Sequence, residues 1–182
     1  MKGIIFNLAE EVVSAEHGED AWDAVLDGAG LSGGYTSLGS YPDADLMAIV
    51  GSAAALLGVG EQAVLRHVAK GSIPLLVERY PHFFTPHRDA LAFVLTLNDM
   101  IHPEVRKLYP GSAPPVFAYD VAAENVVTLT YKSSRALCAL AEGFVAGAAT
   151  HYGQRVTIER PACRLRGDEQ CLLRCEFHDA AA

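Results

Sequence analysis

The chain changes character at Pro114-Pro115, and this break limits its fold more than any other feature. Before it, apolar residues recur at steps of three and four between Gly, Ser and Pro stops, the period of amphipathic helices. After it, β-branched residues roughly alternate with polar ones in VFAYDV, VVTLTYKSSR, QRVTIERPACRL and CLLRCEFH, with turn residues between them. Residues 136–150 (ALCALAEGFVAGAAT) interrupt these strands and are apolar nearly all round, as a buried helix is. Helices first and a sheet later make an α+β fold: a helical N-terminal lobe, a long buried helix, then a four-stranded antiparallel sheet with one crossing helix.

The stops set the expected elements. Helices are expected over 2–12, 19–28, about 43–57, 61–70 (stopped by Gly71) and 72–80. A longer one runs from about Arg88 to Leu108, where Tyr109-Pro110-Gly111 ends it. The SGGYTSLGSYPDAD stretch is a loop, and Asp43 or Asp45 caps the helix after it. At 182 residues the chain suits one domain, 1–182, with a helical lobe over 1–64 and a second lobe over 65–182 carrying the long helix and the sheet.

Composition excludes several classes. With 51% hydrophobic and 20% charged residues, the chain is neither disordered nor of low complexity. Its net charge of −8 gives no general attraction for DNA, RNA or anionic lipid, so neither a nucleic acid nor a membrane is expected as partner. The longest apolar stretch, Ala48 to Gly60, is too short to span a bilayer, and Glu10 and Glu11 come too early for a signal peptide. The expected compartment is the cytoplasm, where the four cysteines read as thiols or metal ligands before disulfides.

Two constellations stand out. In the long helix, Leu91, Leu95, Asn98, His102 and Val105 share one face among further apolar neighbours. A histidine there needs a partner: it is either a hydrogen-bonded core residue beside a kink or a metal ligand. Pro103 removes a backbone hydrogen bond and places the kink near residue 99. In extended chain Tyr131, Ser133 and Arg135 point the same way, about 6–7 Å apart per step. Each donates hydrogen bonds, and the row is either a solvated strand end or a clamp for an anion bearing carboxylates.

Taken in order, His102-Pro-Glu-Val, Pro115 after a twelve-residue gap, and Tyr131-x-Ser133-x-Arg135 resemble the H-NOX family, the haem-nitric oxide/oxygen binding domains. The opening MKGII and the segment RYPHFF (Arg79 to Phe84) are similar to it too, so the resemblance covers nearly the whole chain. It implies a haem b cofactor with His102 as the proximal iron ligand. Tyr131, Ser133 and Arg135 would hold the propionates, and Pro115 would press on the porphyrin. The helices of 1–64 would cover the distal face. Oxygen-binding members place a tyrosine in the helix after the Y-x-S-x-R segment, and the matching position here is Leu140. Around it Leu137, Ala141 and Phe144, with Ile5 and Ile73 or Leu76, offer no donor; Ser72 or Tyr80 is the remaining source of one. An apolar pocket of this kind accepts NO and CO and disfavours O2.

Cys138, Cys163, Cys171 and Cys175 are no standard zinc ribbon. A turn centred on Gly167 sets Cys163 across from Cys171, whereas a regular strand would carry Cys175 about 13 Å from Cys171. Four-cysteine zinc therefore requires residues 168–175 to form a loop or broken strand. Some H-NOX members resemble this pattern and carry a structural zinc on four such cysteines. The C-x7-C-x3-C stretch also looks like the small-molecule-binding domains of the vinyl-reductase family, and a haem-free zinc-thiol redox sensor is a further alternative.

The other histidines read as loop, helix-boundary or exposed residues, and no phosphate loop, nucleophile elbow or catalytic triad order is visible. The chain is expected to be a sensor and not an enzyme. The resemblance implies a ligand switch: NO weakens the bond to His102, the porphyrin relaxes, and the lobes shift. It also implies a separate effector, a histidine kinase or a cyclic-di-GMP enzyme.

Overall fold

Helices α1 (Gly3–His17), α2 (Glu19–Ala29), α3 (Asp43–Leu57) and α4 (Glu61–Arg79) open the computed structural model, which describes residues 1–179. Residues 180–182 of the expected single domain lie outside the described residues. The apolar faces of these helices meet around Phe6, Trp22, Ile49, Val50, Val64 and Leu65. Gly30 and Gly58 end α2 and α3 in the left-handed region, at φ 68° and 64°, where a side chain would strain the turn.

The expected stop at Gly71 is corrected: α4 is one helix that runs through both Gly71 and Pro74. A Cβ at Gly71 would lie 2.9 Å from Val12 Cγ1, so this glycine lets α1 approach. Packing against α1 and α7 (Cys138–His151) overrides a propensity loss of about 1 kcal/mol for glycine and about 3 for proline. Helix α4 also joins the lobes: its Val64 and Leu65 lie in the N-terminal core, whereas Ile73 lies in the core under the sheet. The expected lobe border at 64/65 thus falls inside one continuous helix.

The long helix comes in three pieces. Helix α5 (Ala90–Leu95) leads into a π-helical turn at Leu97–Ile101, and α6 (His102–Leu108) follows at once. The Thr96 carbonyl accepts from both Met100, at 2.9 Å, and Ile101, at 3.2 Å, where the register widens. The break falls where Pro103 predicts it, because Pro103 cannot continue the amide ladder.

Strands β1 (Val116–Ala123), β2 (Val126–Lys132), β3 (Gln154–Ala162) and β4 (Cys171–Asp179) form one antiparallel sheet in the order β1-β2-β4-β3. Leu129 and Leu173 stand opposite each other in the two central strands and are wholly buried. Helix α7 shares this core and crosses α4 with almost no gap: a Cβ at Gly143 would lie 2.3 Å from the Arg66 carbonyl oxygen. Among the described residues, no single helix is long and apolar enough to cross a membrane.

Candidate functional site

His102 is the first residue of α6, and the π turn aims it toward the sheet. Its ring lies 6.1 Å from the Phe117 ring of β1, and Phe117 lies 5.8 Å from Tyr131 of β2. Burial, helped by the Arg106 charge, lowers the His102 pKa to about 4, against a smaller opposing effect of the Pro115 carbonyl. The imidazole is therefore neutral at pH 7. Its Nδ1 is buried and has no hydrogen-bond partner. A neutral imidazole with an unclaimed nitrogen is what an iron ligand requires.

Tyr131, Ser133 and Arg135 come together by a different route from the expected extended row. Strand β2 ends at Lys132, and the chain then turns. The Ser133 hydroxyl accepts from the Arg135 amide at 3.1 Å, a local serine turn that competes with the ladder. The Tyr131 hydroxyl donates to the Arg135 carbonyl at 3.2 Å. Burial raises the pKa of Tyr131, so the phenol keeps its proton and remains a donor. The Arg135 guanidinium donates to Asp43 Oδ2 at 2.7 Å and to the Ala113 carbonyl at 3.0 Å. The N-terminal ammonium of Met1 donates to Asp43 Oδ1 at 2.6 Å, and this bond leads in depressing the pKa of Asp43. The clamp thus grips a carboxylate here, at the seam between α3 and the segment leading to Pro115. Asp43 and Met1 carried no signal for this role in the sequence, where Asp43 reads as a helix cap.

Ile5 and Leu140 line a small cavity of about 20 Å³ with Ala9, Trp22, Leu46 and Val68. Phe144 packs instead against the core under the sheet, with Ile73 and Ala141. Of the two remaining distal donors, Ser72 is buried and spends its hydroxyl on the Val68 carbonyl at 2.7 Å. The Tyr80 hydroxyl pairs with that of Tyr109.

Three thiols form a second cluster. Cys163 Sγ lies 3.8 Å from that of Cys138 and 4.0 Å from that of Cys171, and all three side chains are buried. Burial raises the Cys163 pKa, but the Arg160 hydrogen bond, the Leu165 amide and the two thiols outweigh it, and the net shift is down. Burial pushes Cys138 up to about 12. Arg160 reaches Cys163 Sγ at 3.6 Å, while its Nε and Nη2 hold the buried Glu142 carboxylate at 2.6 and 2.8 Å. Glu142 also accepts from Arg66 of α4 at 3.1 Å.

Cys175 is the correction to the four-cysteine set. Strand β4 is regular from Cys171 through Cys175, so the loop that a four-thiol site requires is absent there. Cys175 stands opposite Val127 and Ile158, outside the group of three whose sulfurs lie within 4.8 Å of one another. The trio could supply three ligands of a tetrahedral thiolate site, and the Arg160 cation stands against one of them, Cys163. The Glu142–Arg160 pair was not read from the sequence, because only the fold brings α7 beside β3.

The sequence model of the haem-NO-binding family matches residues 2–160. The H-NOX protein of S. oneidensis in the Fe(II)NO state is 32% identical, with a TM-score of 0.90 over 98% of this chain and 100% of that one. The Fe(II)CO state from Shewanella oneidensis, solved by NMR, is also 32% identical, with a TM-score of 0.87 over 98% and 99%. The unliganded H-NOX protein of K. algicida shares the fold at 24% identity, with a TM-score of 0.88 over 100% and 99%. No curated protein matches significantly in sequence. A buried unclaimed imidazole, a carboxylate clamp at a lobe seam and this agreement over most of the chain lead to one conclusion: the chain belongs to the haem-NO-binding, or H-NOX, family.

Proposed function

We propose that this chain is a cytoplasmic haem-based sensor that binds NO and CO, disfavours O2, and signals to a separate effector without catalysing a reaction. The observation that carries it is the neutral His102 with its buried, unpartnered Nδ1. Ferrous haem b, when bound, supplies the iron that takes the gas. His102 would be its protein ligand. Tyr131, Ser133 and Arg135 would exchange their present partners for the propionates, and Pro115 would bear on the ring. Ile5 and Leu140 would line the gas side, where their hydrocarbon and the engagement of the Ser72 hydroxyl by the Val68 carbonyl disfavour a bound O2 that carries negative charge.

If NO weakened the hold on His102, α6 would no longer be tied to the site. The Pro115 segment and the N-terminal helices would then be free to shift relative to each other, the output that a histidine kinase or a cyclic-di-GMP enzyme would read. Haemin titrated into the purified, haem-free chain tests the site. One equivalent should bind with a Soret band, and Arg135→Ala should weaken uptake. No band in the wild type would overturn the reading.

A metal on the thiols is the second reading, favoured by the three clustered sulfurs. Cys138, Cys163 and Cys171 would hold zinc, leaving Cys175 out. Stoichiometric zinc without a Soret band would move the function to a thiol-based redox sensor.

A further inference from the structure

Strand β1 is an edge of the sheet, so alternate residues present a bare N–H and C=O outward. At Phe117 both groups are taken by one side chain. The Phe117 N–H donates to Asn98 Oδ1 at 3.0 Å, and Asn98 Nδ2 donates to the Phe117 carbonyl at 2.6 Å. A carboxamide offers an acceptor and a donor side by side, so it pairs with an edge residue as a neighbouring strand would. The orientation of the amide is fixed, because the Phe117 N–H can only donate.

The positions joined by this clamp matter. Asn98 lies in the π turn, four residues before His102. Phe117 lies two residues after Pro115, and its ring faces the imidazole. A π turn holds one extra residue in the helical circuit and shifts register easily, so what pins it decides where the next residues point. Among the described residues, these are the two side-chain hydrogen bonds found between the π turn and β1.

We propose that Asn98 is a positioning residue for the haem site. Its two-bond clamp fixes the separation between the helix bearing His102 and the strand that starts after Pro115. The pull of the imidazole and the press of the proline then act against one rigid frame. When His102 is released, the movement is hinged after residue 98, because Asn98 stays on the strand. This rests on the haem reading above.

The test uses the purified haem-loaded chain as wild type, Asn98→Leu and Asn98→Asp. Leu removes both bonds. Asp is isosteric, keeps the acceptor for the Phe117 N–H and loses the donor. Hydrogen exchange reports the clamp: the Phe117 amide should be protected in the wild type and exchange up to about tenfold faster in N98L, the loss of one hydrogen bond. Resonance Raman of the reduced, unliganded protein reports positioning. The iron–histidine stretching band should shift and the out-of-plane porphyrin bands should weaken in N98L, with N98D between N98L and wild type. A merely structural Asn98 would lower the melting temperature and leave these bands in place, and that result overturns the proposal. If N98L does not fold, wild-type bands in N98D overturn it equally. If the wild type itself takes up no haem, the haem reading fails and the clamp proposal falls with it, whereas a normal wild type beside unchanged variants sinks the clamp alone.

Discussion

The cysteine cluster and the His102 site are built in opposite ways. Cys138, Cys163 and Cys171 come from α7 and from the facing ends of β3 and β4, all inside one packed core, and their sulfurs are already grouped. The His102 site draws His102 from α6, Arg135 from the turn after β2, Asp43 from α3 and the ammonium from Met1. Its ion pairs are partly exposed, with the Arg135 and Asp43 side chains at 25% and 46%, whereas the Glu142–Arg160 pair beside the thiols is at 7% and 15%. Exposed pairs contribute little and exchange partners readily, whereas a buried pair resists removal of either member. The difference teaches that the thiol end is the more fixed part and the His102 site the more adjustable one, which suits the proposed haem site.

Substitutions can break or sharpen this contrast. The largest effect is expected at the proposed haem site: His102→Gly should abolish the iron–histidine Raman band and set effector output to that of the NO-treated wild type. Output like the unliganded wild type would contradict the switch. At the thiol end, Glu142→Ala leaves Arg160 without its buried partner and should destabilise the fold by about 3–5 kcal/mol, read by chemical denaturation. Haem spectra should survive in the folded fraction; their loss would show that the two regions are not independent.

A smaller effect concerns pH in the haem-free chain. The folded pKa of His102 is depressed from its ordinary 6.5 to about 4, so between these values the unfolded chain binds a proton that the folded chain refuses. Stability is therefore lost as pH falls through that window, by about 3 kcal/mol at most, and His102→Gln should flatten this part of the curve. The smallest effect is expected from Asp43→Asn. It opens the Met1–Arg135 bridge, yet the half-exposed pair should contribute less than about 1 kcal/mol, a melting shift of a few degrees.

Much of this was legible in the chain because it depends on local rules. Pro103 announces the break before His102, and the Gly167 turn sets Cys163 beside Cys171. The errors arise where distant segments meet. Gly71 reads as a stop until α1 is seen to need its bare Cα. Y-x-S-x-R reads as a strand row until the Ser133 turn folds it back. Asn98 sits plainly on the His102 stripe, but nothing within the helix says that an edge strand waits for its amide.

The most direct test is a visible absorption spectrum of the purified, reduced protein in air and after NO. The account predicts a Soret band that moves to shorter wavelength on NO, as His102 is released, and that stays in place in air. A band that moves in air would contradict the apolar gas pocket, and no band after haem reconstitution would contradict His102 as an iron ligand.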